Sequence, residues 1–491
     1  MRKAGTIYID KTKYLYKMLT TDDMYLLSRP RRFGKTLTVS TLESIFKGEQ
    51  DLFAGLFIAS TGYDWKAYPI IHIDFGDCPE NTASGLDGWL SRRIGSIASS
   101  HGTTIVPGLK SAEQFSDLVI ALSQQGQVVI LVDEYDKVLS DNIFNPEVDA
   151  MREVLGNFYQ VIKTRAASIR FAFITGVTKY AKVSVFSRMN NLTDLSMRED
   201  YATMLGYSKE ELLGTFDTFI ERGVRKTGME REAYLTKVKD MYDGYRFHPR
   251  AETVYNPVSV GQFFESGGAD FEGYWADMGS TKLLMDIAKS VDFNVLEDMN
   301  LAMESSQMRN FDVLSLVPPR KEEGEETPVD TLSVIDLMSL LYQTGYLTLL
   351  ASGENTRMLH FDFPNTEVRE AFTSSLLSTS LSAKAAPQRN NALDALLLGK
   401  TGFAMECIRT MLSSVPYTIQ IGEEKHYQSL LFMMFCSWSA KRISAEEATN
   451  IGRIDLVLEG DSHLYVIECK YGKDGKKALE QIKERGMRRS T

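Results

Sequence analysis

Several classes of protein are excluded by what this sequence lacks. Only four cysteines occur in 491 residues, and no two of them have the spacing of a metal site or a redox motif. Free thiols of this kind fit the reducing cytoplasm. No apolar run approaches the roughly 18 residues that a membrane-spanning helix needs, and the N-terminus has no apolar signal-peptide core. We therefore expect a cytoplasmic protein with no membrane partner.

Internal repeats, low-complexity tracts and long Gly/Ser linkers are also missing. The net charge of -10 argues against a surface coated in nucleic-acid-binding charge, although it leaves a local basic patch open. Apolar residues make up 43% of the chain and charged residues 24%, as in an ordinary globular protein. The length allows roughly two to four domains.

Residues 28–36 combine the features of a phosphate-binding loop. A short apolar run precedes them, and apolar residues at helical spacing follow at 37–46. In this strand–turn–helix layout, free N–H groups and the helix dipole attract phosphate. Lys35 would reach the β- and γ-phosphates, and the Thr36 hydroxyl would hold Mg²⁺. Because Arg29 stands where the general pattern has glycine, an ordinary helix start is the alternative.

A second motif consists of five aliphatic residues at 128–132 that run directly into Asp133 and Glu134. This pattern predicts a fully buried parallel strand that ends in two carboxylates. In P-loop ATPases such an Asp orders the Mg²⁺ ion, and the following Glu orients the attacking water. A helix cap after a buried strand is the alternative, but the Gly-Lys-Thr upstream favours ATP binding. The separation of Lys35 and Asp133 leaves room for an intervening strand.

Another buried strand is predicted at 169–178, and it ends in small polar residues. Thr175 or Thr178 is the candidate for a side chain that senses the γ-phosphate, and strand-end turn chemistry is the alternative. In open α/β sheets, ligands bind at the carboxyl ends of the strands. All three motifs fall at such ends, so we predict that they form one site.

Motifs along most of the chain are shared with one family. They read Tyr-Ile-Asp-Lys-Thr at 8–12, Arg-Pro-Arg-Arg-Phe-Gly-Lys-Thr at 29–36, Val-Asp-Glu-Tyr-Asp at 132–136, Ile-Thr-Gly-Val at 174–177 and Tyr-Asp-Gly-Tyr-Arg-Phe at 242–247. Together they resemble bacterial AAA-ATPase-like proteins that carry a PD-(D/E)XK nuclease domain at the C-terminus.

The resemblance implies ATP and Mg²⁺ as cofactors. It also makes Arg29 an expected loop residue, since the family's loop reads Arg-Pro-Arg-Arg-Phe-Gly-Lys. Relative to the family, we expect the chain to start late and to stop early. The predicted catalytic residue is Glu134, and the predicted nucleotide-binding residues are Arg32, Phe33, Gly34, Lys35, Thr36, Asp133 and Thr175.

A helix at 330–344 followed by strands at 345–350 and 358–363 resembles the winged-helix lid of some signal-transduction ATPases. Such a domain either binds DNA or caps the nucleotide site. The segment has no run of Lys or Arg, which favours capping.

A second candidate site lies near the C-terminus, where strands are predicted at 453–459 and 464–470. If the residues 460–463 form the turn, Asp455 lies opposite Glu468, and Lys470 shares the face of Glu468. A register slip of one residue would separate them. Two convergent carboxylates favour a hard cation such as Mg²⁺, and a neighbouring Lys can stabilise charge on a phosphate.

This Asp…Glu-X-Lys pattern is the PD-(D/E)XK nuclease signature, but Glu-X-Lys also occurs on solvated strands. The flanking Val457, Tyr465 and Ile467 favour a buried strand. The family resemblance adds Glu424 as a further metal ligand and Gln481 as a polar residue of the site.

Residues 470–489 contain eight basic and three acidic side chains, a local net charge of +5. They form either a patch that follows phosphates or a solvated helix face. The predicted metal ligands of both sites are Thr36, Asp133, Glu424, Asp455 and Glu468, and the predicted catalytic residues are Glu134, Asp455, Glu468 and Lys470.

The predicted fold is α/β: a P-loop NTPase of the AAA type with a parallel sheet (1–240), a helical and winged-helix region (241–385) and a restriction-endonuclease-like α/β/α domain (390–491). The predicted function is an ATP-regulated, Mg²⁺-dependent nuclease acting on nucleic acid, DNA in the first place. A nucleotide-switched signalling protein with an inactive nuclease scaffold is the alternative, and a DNA motor or loader without cleavage is a third. A homo-oligomer is left open.

Overall fold

The computed structural model divides the chain into two compact units. The N-terminal unit comprises Met1–Glu272 and Leu301–Asn365, and the C-terminal unit comprises Gly273–Asn300 and Thr366–Thr491. The domain boundaries predicted from sequence stay predictions. The structure describes residues 6–21, 24–178, 192–275, 302–311, 334–352, 357–380, 385–412, 431, 435, 442–449, 452–459 and 463–469.

A parallel sheet of five strands forms the centre of the N-terminal unit. Its strand order is β2-β3-β4-β1-β5, and all neighbours run parallel. The strand β4 therefore lies between β1, which leads into the Gly-Lys-Thr motif, and β3, which ends at Asp133. This arrangement confirms the expected intervening strand. The strands are β1 (Met24–Ser28), β2 (Ile70–Asp74), β3 (Val128–Asp133), β4 (Ile169–Gly176) and β5 (Leu192–Asp194).

The three central strands of this sheet are apolar because both of their faces are covered. Every residue of β1 and β3 is buried, and so is every residue of β4 except Arg170. Such strands read as continuous aliphatic runs rather than as alternating patterns. For this reason, the bounds predicted for β3 and β4 from sequence lie close to the observed ones.

Helices cover the sheet and pack on one another. The helix α2 contacts β3 and β4, while α3 contacts β2 and α4 contacts β3. The helices α3, α4 and α6 also pack together. The helices up to the end of the sheet are α1 (Thr12–Leu19), α2 (Lys35–Phe46), α3 (Ala83–Ser100), α4 (Ser111–Ser123), α5 (Lys137–Asp141) and α6 (Val148–Thr164), with 3₁₀ turns at Gln50–Phe53, Phe57–Ser60, Ala166–Ser168 and Glu199–Tyr201.

Three further helices follow the sheet: α7 (Lys209–Thr227), α8 (Arg231–Tyr242) and α9 (Pro257–Glu265). Ser208 begins α7 with a capping box, since its hydroxyl accepts the Glu211 N–H and the Glu211 carboxylate accepts the Ser208 N–H. Asn256 caps α9 in the same region of the chain. The segment after the sheet is therefore made of helices with regular ends.

A small antiparallel sheet matches the predicted wing. The helix α11 (Val334–Thr344) precedes β7 (Thr348–Leu349) and β8 (Met358–Asp362), which pair as a hairpin. The strand β6 (Ala302–Glu304), followed by α10 (Ser305–Asn310), pairs with the other edge of β8. Gly345 has a φ of 90°, and a Cβ there would lie 2.8 Å from Pro30 Cβ, so the end of α11 closely approaches the phosphate loop.

The C-terminal unit contains helices and a three-stranded antiparallel sheet in the order β11-β10-β9. The Tyr465 hydroxyl donates to the Leu396 carbonyl at 2.5 Å, which ties this sheet to a helix. The elements are α12 (Thr366–Ser380), α13 (Ala385–Leu397), α14 (Thr401–Leu412), β9 (Arg442–Thr449), β10 (Gly452–Glu459) and β11 (Leu464–Ile467).

A search for membrane-spanning helices, restricted to the residues that the structure describes, finds no helix with the required length and apolar character.

The ends of β3 and β4 are tied together by one buried carboxylate. Asp136 accepts the N–H groups of Val177, at 3.0 Å, and Thr178, at 2.7 Å. It also accepts the Thr178 hydroxyl at 2.7 Å. A buried carboxylate is tolerated when such donors replace its water, so Asp136 fixes the turn that follows β4.

We predict that Asp136→Ala destabilises the N-terminal unit by about 2–3 kcal/mol, because it leaves buried N–H groups without an acceptor. Urea unfolding followed by tryptophan fluorescence would measure the change. The matched control is Asp141→Ala, which removes an exposed carboxylate paired with Lys137 and should cost less than about 0.5 kcal/mol. Equal effects of the two substitutions would contradict the assignment.

Candidate functional site

The loop between β1 and α2 has the backbone of an anion site. Gly34 is the N-cap of α2 and has a φ of 94°, and Arg32 also lies in the left-handed region with a φ of 70°. In the described part of the chain, no side chain caps this helix start. Its first N–H groups could therefore bind an anion, as at helix ends that bind phosphate.

Lys35 points back along the loop. Its Nζ donates to the carbonyl oxygens of Arg29 and Pro30, both at 2.9 Å, and its side chain is buried. Burial lowers the pKa of Lys35 to about 8, although the negative charges of Asp136, Asp133 and Glu134 oppose this change. The ammonium is thus held within the loop by two main-chain carbonyls.

Thr36 and Asp133 lie together, as the two motifs predict. The Thr36 hydroxyl donates to the Asp133 carboxylate. Burial raises the pKa of Asp133, and this hydrogen bond opposes the rise. Among the described residues, no group of three or more His, Cys, Asp or Glu side chains could hold a metal. A Mg²⁺ ion at this pair would take its other ligands from phosphate and water, which is its usual mode of binding.

Glu134 follows Asp133 in a strained conformation with a φ of 51°. Burial raises the pKa of its carboxyl, and the charges of Asp133, Asp136 and Asp74 raise it further. A carboxylate whose pKa is raised by its environment is a better proton acceptor. The geometry therefore suits the predicted role of Glu134 at a water molecule.

Asp74 is a site residue that our sequence analysis missed. It ends β2, pairs in register with Asp133 and raises the pKa of both Asp133 and Glu134. The sequence contains the pattern that would have indicated Asp74, because this residue ends an apolar strand just as Asp133 does.

The two candidates for sensing the γ-phosphate differ in the structure. The hydroxyl of Thr178 donates to Asp136 and supports the turn. The hydroxyl of Thr175 is fully buried and has no hydrogen-bond partner among the described residues. This contrast favours Thr175, although its role remains a prediction.

The side chain of Phe33 is buried in the protein. Its ring is buried edge-on against Tyr245, at 4.8 Å, and Phe247, at 5.4 Å between ring centroids. The neighbouring Arg32 side chain is exposed. The roles of Phe33 and Arg32 in nucleotide binding stay predictions.

A cavity opens beside the start of α2. It is lined by residues 7–9 of the N-terminal segment, by Gly34 and Leu37 and by residues 204–207. Its walls carry both apolar and polar groups. The cavity therefore offers space next to the phosphate loop for the rest of a nucleotide.

The Tyr-Ile-Asp-Lys-Thr motif at 8–12 fixes the N-terminal segment that lines one side of this cavity. Asp10 accepts the N–H of Thr12 at 2.8 Å and that of Phe57 at 2.7 Å. Lys11 donates to the Thr203 carbonyl at 2.9 Å and to Glu211 at 2.6 Å. The motif thus anchors the N-terminal segment to two distant parts of the chain.

In the C-terminal unit, the hairpin has the predicted register. Leu456 pairs with Ile467 and Glu459 with Leu464. Extending this register by one step places Asp455 opposite Glu468, which is half-buried just after β11. Val457 is buried, while Tyr465 and Ile467 are only half-buried, so the flanks are less enclosed than we expected.

Other predicted residues of this second site cannot be judged. Lys470, Glu424, Gln481 and the basic segment at 470–489 lie outside the described residues, and of Asp455 only the place in β10 is described.

The sheet order, the Gly-Lys-Thr helix start and the strand-end carboxylates define the N-terminal unit as a P-loop nucleotide-binding fold. The family comparisons are more specific. Residues 1–186 match the family described as "Predicted AAA-ATPase", and residues 422–491 match the PD-(D/E)XK nuclease superfamily. An AAA-ATPase-like match at the N-terminus and a PD-(D/E)XK match at the C-terminus confirm the resemblance seen in the sequence.

Two relatives add little about activity. A protein of Azotobacter chroococcum mcd 1, described as "Uncharacterized protein in vnfD 5'region", is 29% identical over 497 residues, 98% of this chain and 89% of that protein. A protein of Shewanella loihica named 2-succinyl-5-enolpyruvyl-6-hydroxy-3-cyclohexene-1-carboxylate synthase is 34% identical over 115 residues, 23% of this chain and 19% of that protein. The second match is too short to bear on function.

We predict that ATP affinity falls by about tenfold between about pH 7 and pH 9, because Lys35 loses its proton in the ligand-free protein above its pKa of about 8. A bound phosphate favours the charged ammonium, so binding at the higher pH should take up a proton. Calorimetry in two buffers with different ionisation enthalpies would measure this uptake.

Lys35→Arg is the control for this experiment, since its guanidinium keeps its charge over this range. The ATP affinity of this variant should not fall between pH 7 and pH 9. If the parent binds ATP with equal affinity at both pH values and without proton uptake, the predicted titration of Lys35 is wrong.

Proposed function

We propose that the chain binds and hydrolyses ATP with Mg²⁺ and that its nucleotide state regulates a Mg²⁺-dependent nuclease acting on DNA or RNA. The observation that carries the ATP part is the convergence of Lys35, Thr36, Asp133 and Glu134 at one edge of the parallel sheet. The nuclease part is supported by the family match and by the hairpin register that aligns Asp455 with Glu468.

Each loop residue has a distinct task in nucleotide binding. The N–H groups at the start of α2 and the Lys35 ammonium bind the phosphates. Thr36 and Asp133 would hold Mg²⁺, which neutralises charge on the phosphate oxygens. Glu134 orients a water molecule and accepts its proton, and Thr175 senses the γ-phosphate.

The cavity beside Gly34 supports a nucleotide rather than a free phosphate as the ligand. Residues 7–9 and 204–207 line it, so they would surround the nucleoside. If so, ATP should bind more tightly than inorganic tripolyphosphate, and calorimetry with both ligands would compare them directly.

The hairpin of the C-terminal unit suits phosphodiester hydrolysis. Asp455 and Glu468 would hold Mg²⁺, with Glu424 as a further ligand. The ion lowers the pKa of a bound water and polarises the phosphate. Lys470 would stabilise the charge that develops on the phosphate, and the basic side chains at 470–489 would follow the nucleic-acid backbone.

We predict that Glu134→Gln lowers the rate of ATP hydrolysis by about a hundredfold or more, because the amide cannot accept a proton from water. ATP binding, measured by calorimetry, should persist. The control Lys35→Ala should lose binding as well. Normal hydrolysis by Glu134→Gln would remove Glu134 from its proposed role.

We predict that Glu468→Gln abolishes Mg²⁺-dependent cleavage of labelled single- or double-stranded DNA and RNA while ATP hydrolysis continues. The reason is the loss of a charged ligand from a two-carboxylate metal site. The control is Glu459→Gln, which changes another carboxylate of the same hairpin and should cleave normally.

Cleavage that also disappears in Lys35→Ala would indicate regulation by the nucleotide. If the parent turns over ATP but cleaves none of the substrates, the nuclease proposal is wrong. The chain would then be a nucleotide-switched signalling protein with an inactive nuclease scaffold.

A further inference from the structure

Arg29, the residue that replaces a glycine of the general loop pattern, is enclosed by main-chain oxygens. It is only 1% exposed. One terminal nitrogen donates to the carbonyls of Ser28, at 3.0 Å, and Ser196, at 2.5 Å, and the other donates to Tyr201 at 3.2 Å. The Phe247 ring lies 4.1 Å from the guanidinium carbon. This carbonyl cage holds the side chain in one orientation.

Among the residues that the structure describes, no ion pair balances the charge of Arg29. None of the ion pairs among the described residues involves it, and its Nε has no hydrogen-bond partner there. Burial lowers the pKa of Arg29 to about 10, although Tyr342 and Asp194 act in the opposite direction. A buried cation satisfied only by carbonyl dipoles retains a long-range field, because the low dielectric around it screens poorly.

The main chain of Arg29 connects this cage to the phosphate site. The carbonyls of Arg29 and Pro30 accept the Lys35 ammonium. The left-handed backbone of this loop is at Arg32 and Gly34 and not at Arg29. Arg29 therefore does not need the conformational freedom of glycine, and its position can carry a long side chain.

We propose that Arg29 is a positioning residue of the phosphate site, which holds the carbonyls that orient Lys35 and supplies a buried positive charge that selects for the more highly charged phosphate chain. This inference rests on the proposed nucleotide binding. In the ligand-free site, Arg29 and Lys35 are two buried cations close in sequence and linked through one carbonyl. A bound polyphosphate would balance both positive charges. Each additional negative charge on the phosphate chain would therefore be attracted by Arg29 and would increase the binding affinity.

The test compares the affinities of ATP and ADP by calorimetry in the parent, Arg29→Met and Arg29→Lys. Met keeps much of the length of Arg without its charge, and Lys keeps the charge but cannot reach three carbonyls. The control is Arg198→Met, because Arg198 also lies near the Tyr201 ring, at 5.7 Å, but is exposed and paired with Asp200.

Arg29→Met should weaken ATP binding by roughly ten- to a hundredfold and ADP binding by less, as expected for loss of one charge-assisted interaction. Arg29→Lys should keep the preference of the parent for ATP over ADP at somewhat lower affinity. Arg198→Met should match the parent for both nucleotides. A purely structural role of Arg29 would instead weaken both nucleotides equally.

An unchanged preference for ATP in Arg29→Met would overturn the inference while leaving nucleotide binding intact. If Arg29→Met does not fold, Arg29→Lys decides: loss of the preference despite the retained charge overturns the inference, and its persistence supports it. Failure of the parent to bind ATP would instead refute the proposed function itself.

Discussion

The N-terminal unit depends on a balance of buried charge at the carboxyl edge of its parallel sheet. The Lys35 ammonium lies between loop carbonyls and the carboxylates of Asp133, Glu134 and Asp136. A buried ammonium requires such partners, since isolated burial is costly. The strands that carry these groups must therefore end at one level. The register of β2, β3 and β4 provides this, with Asp74 beside Asp133 and Tyr135 bonded to Thr175.

Features set by local patterns could be predicted from the sequence. Central strands buried on both faces appear as aliphatic runs, so β3 and β4 were located closely. The helix at 334–344 and the two strands after it were also located from sequence, and the hairpin register in the C-terminal unit followed from the length of its turn. The same reasoning placed Thr36 near Asp133, since both follow strands that end at the same edge. The family match confirms the class that these motifs indicated.

Features that depend on contacts between distant segments could not be predicted. The environment of Arg29 is made by Ser196, Tyr201 and Phe247, and no pattern around Arg29 specifies them. The choice between Thr175 and Thr178 likewise depends on Asp136, whose bonds to the turn after β4 arise only in the folded chain. Phe33 was assigned to nucleotide binding from its place in the motif, whereas its ring packs on the segment at 242–247.

The departures of this loop from the general pattern have one physical consequence. Arg29 and Phe33 both pack against Phe247, and Pro30 lies against the end of α11 at Gly345. Each of these loop residues thus faces the segment at 242–247 or the wing, while the loop carbonyls face Lys35. The carbonyls of Arg29 and Pro30 hold Lys35, while the side chains of the same loop pack on the segment at 242–247 and near Gly345. The loop thus joins the Lys35 site to these two segments of the N-terminal unit.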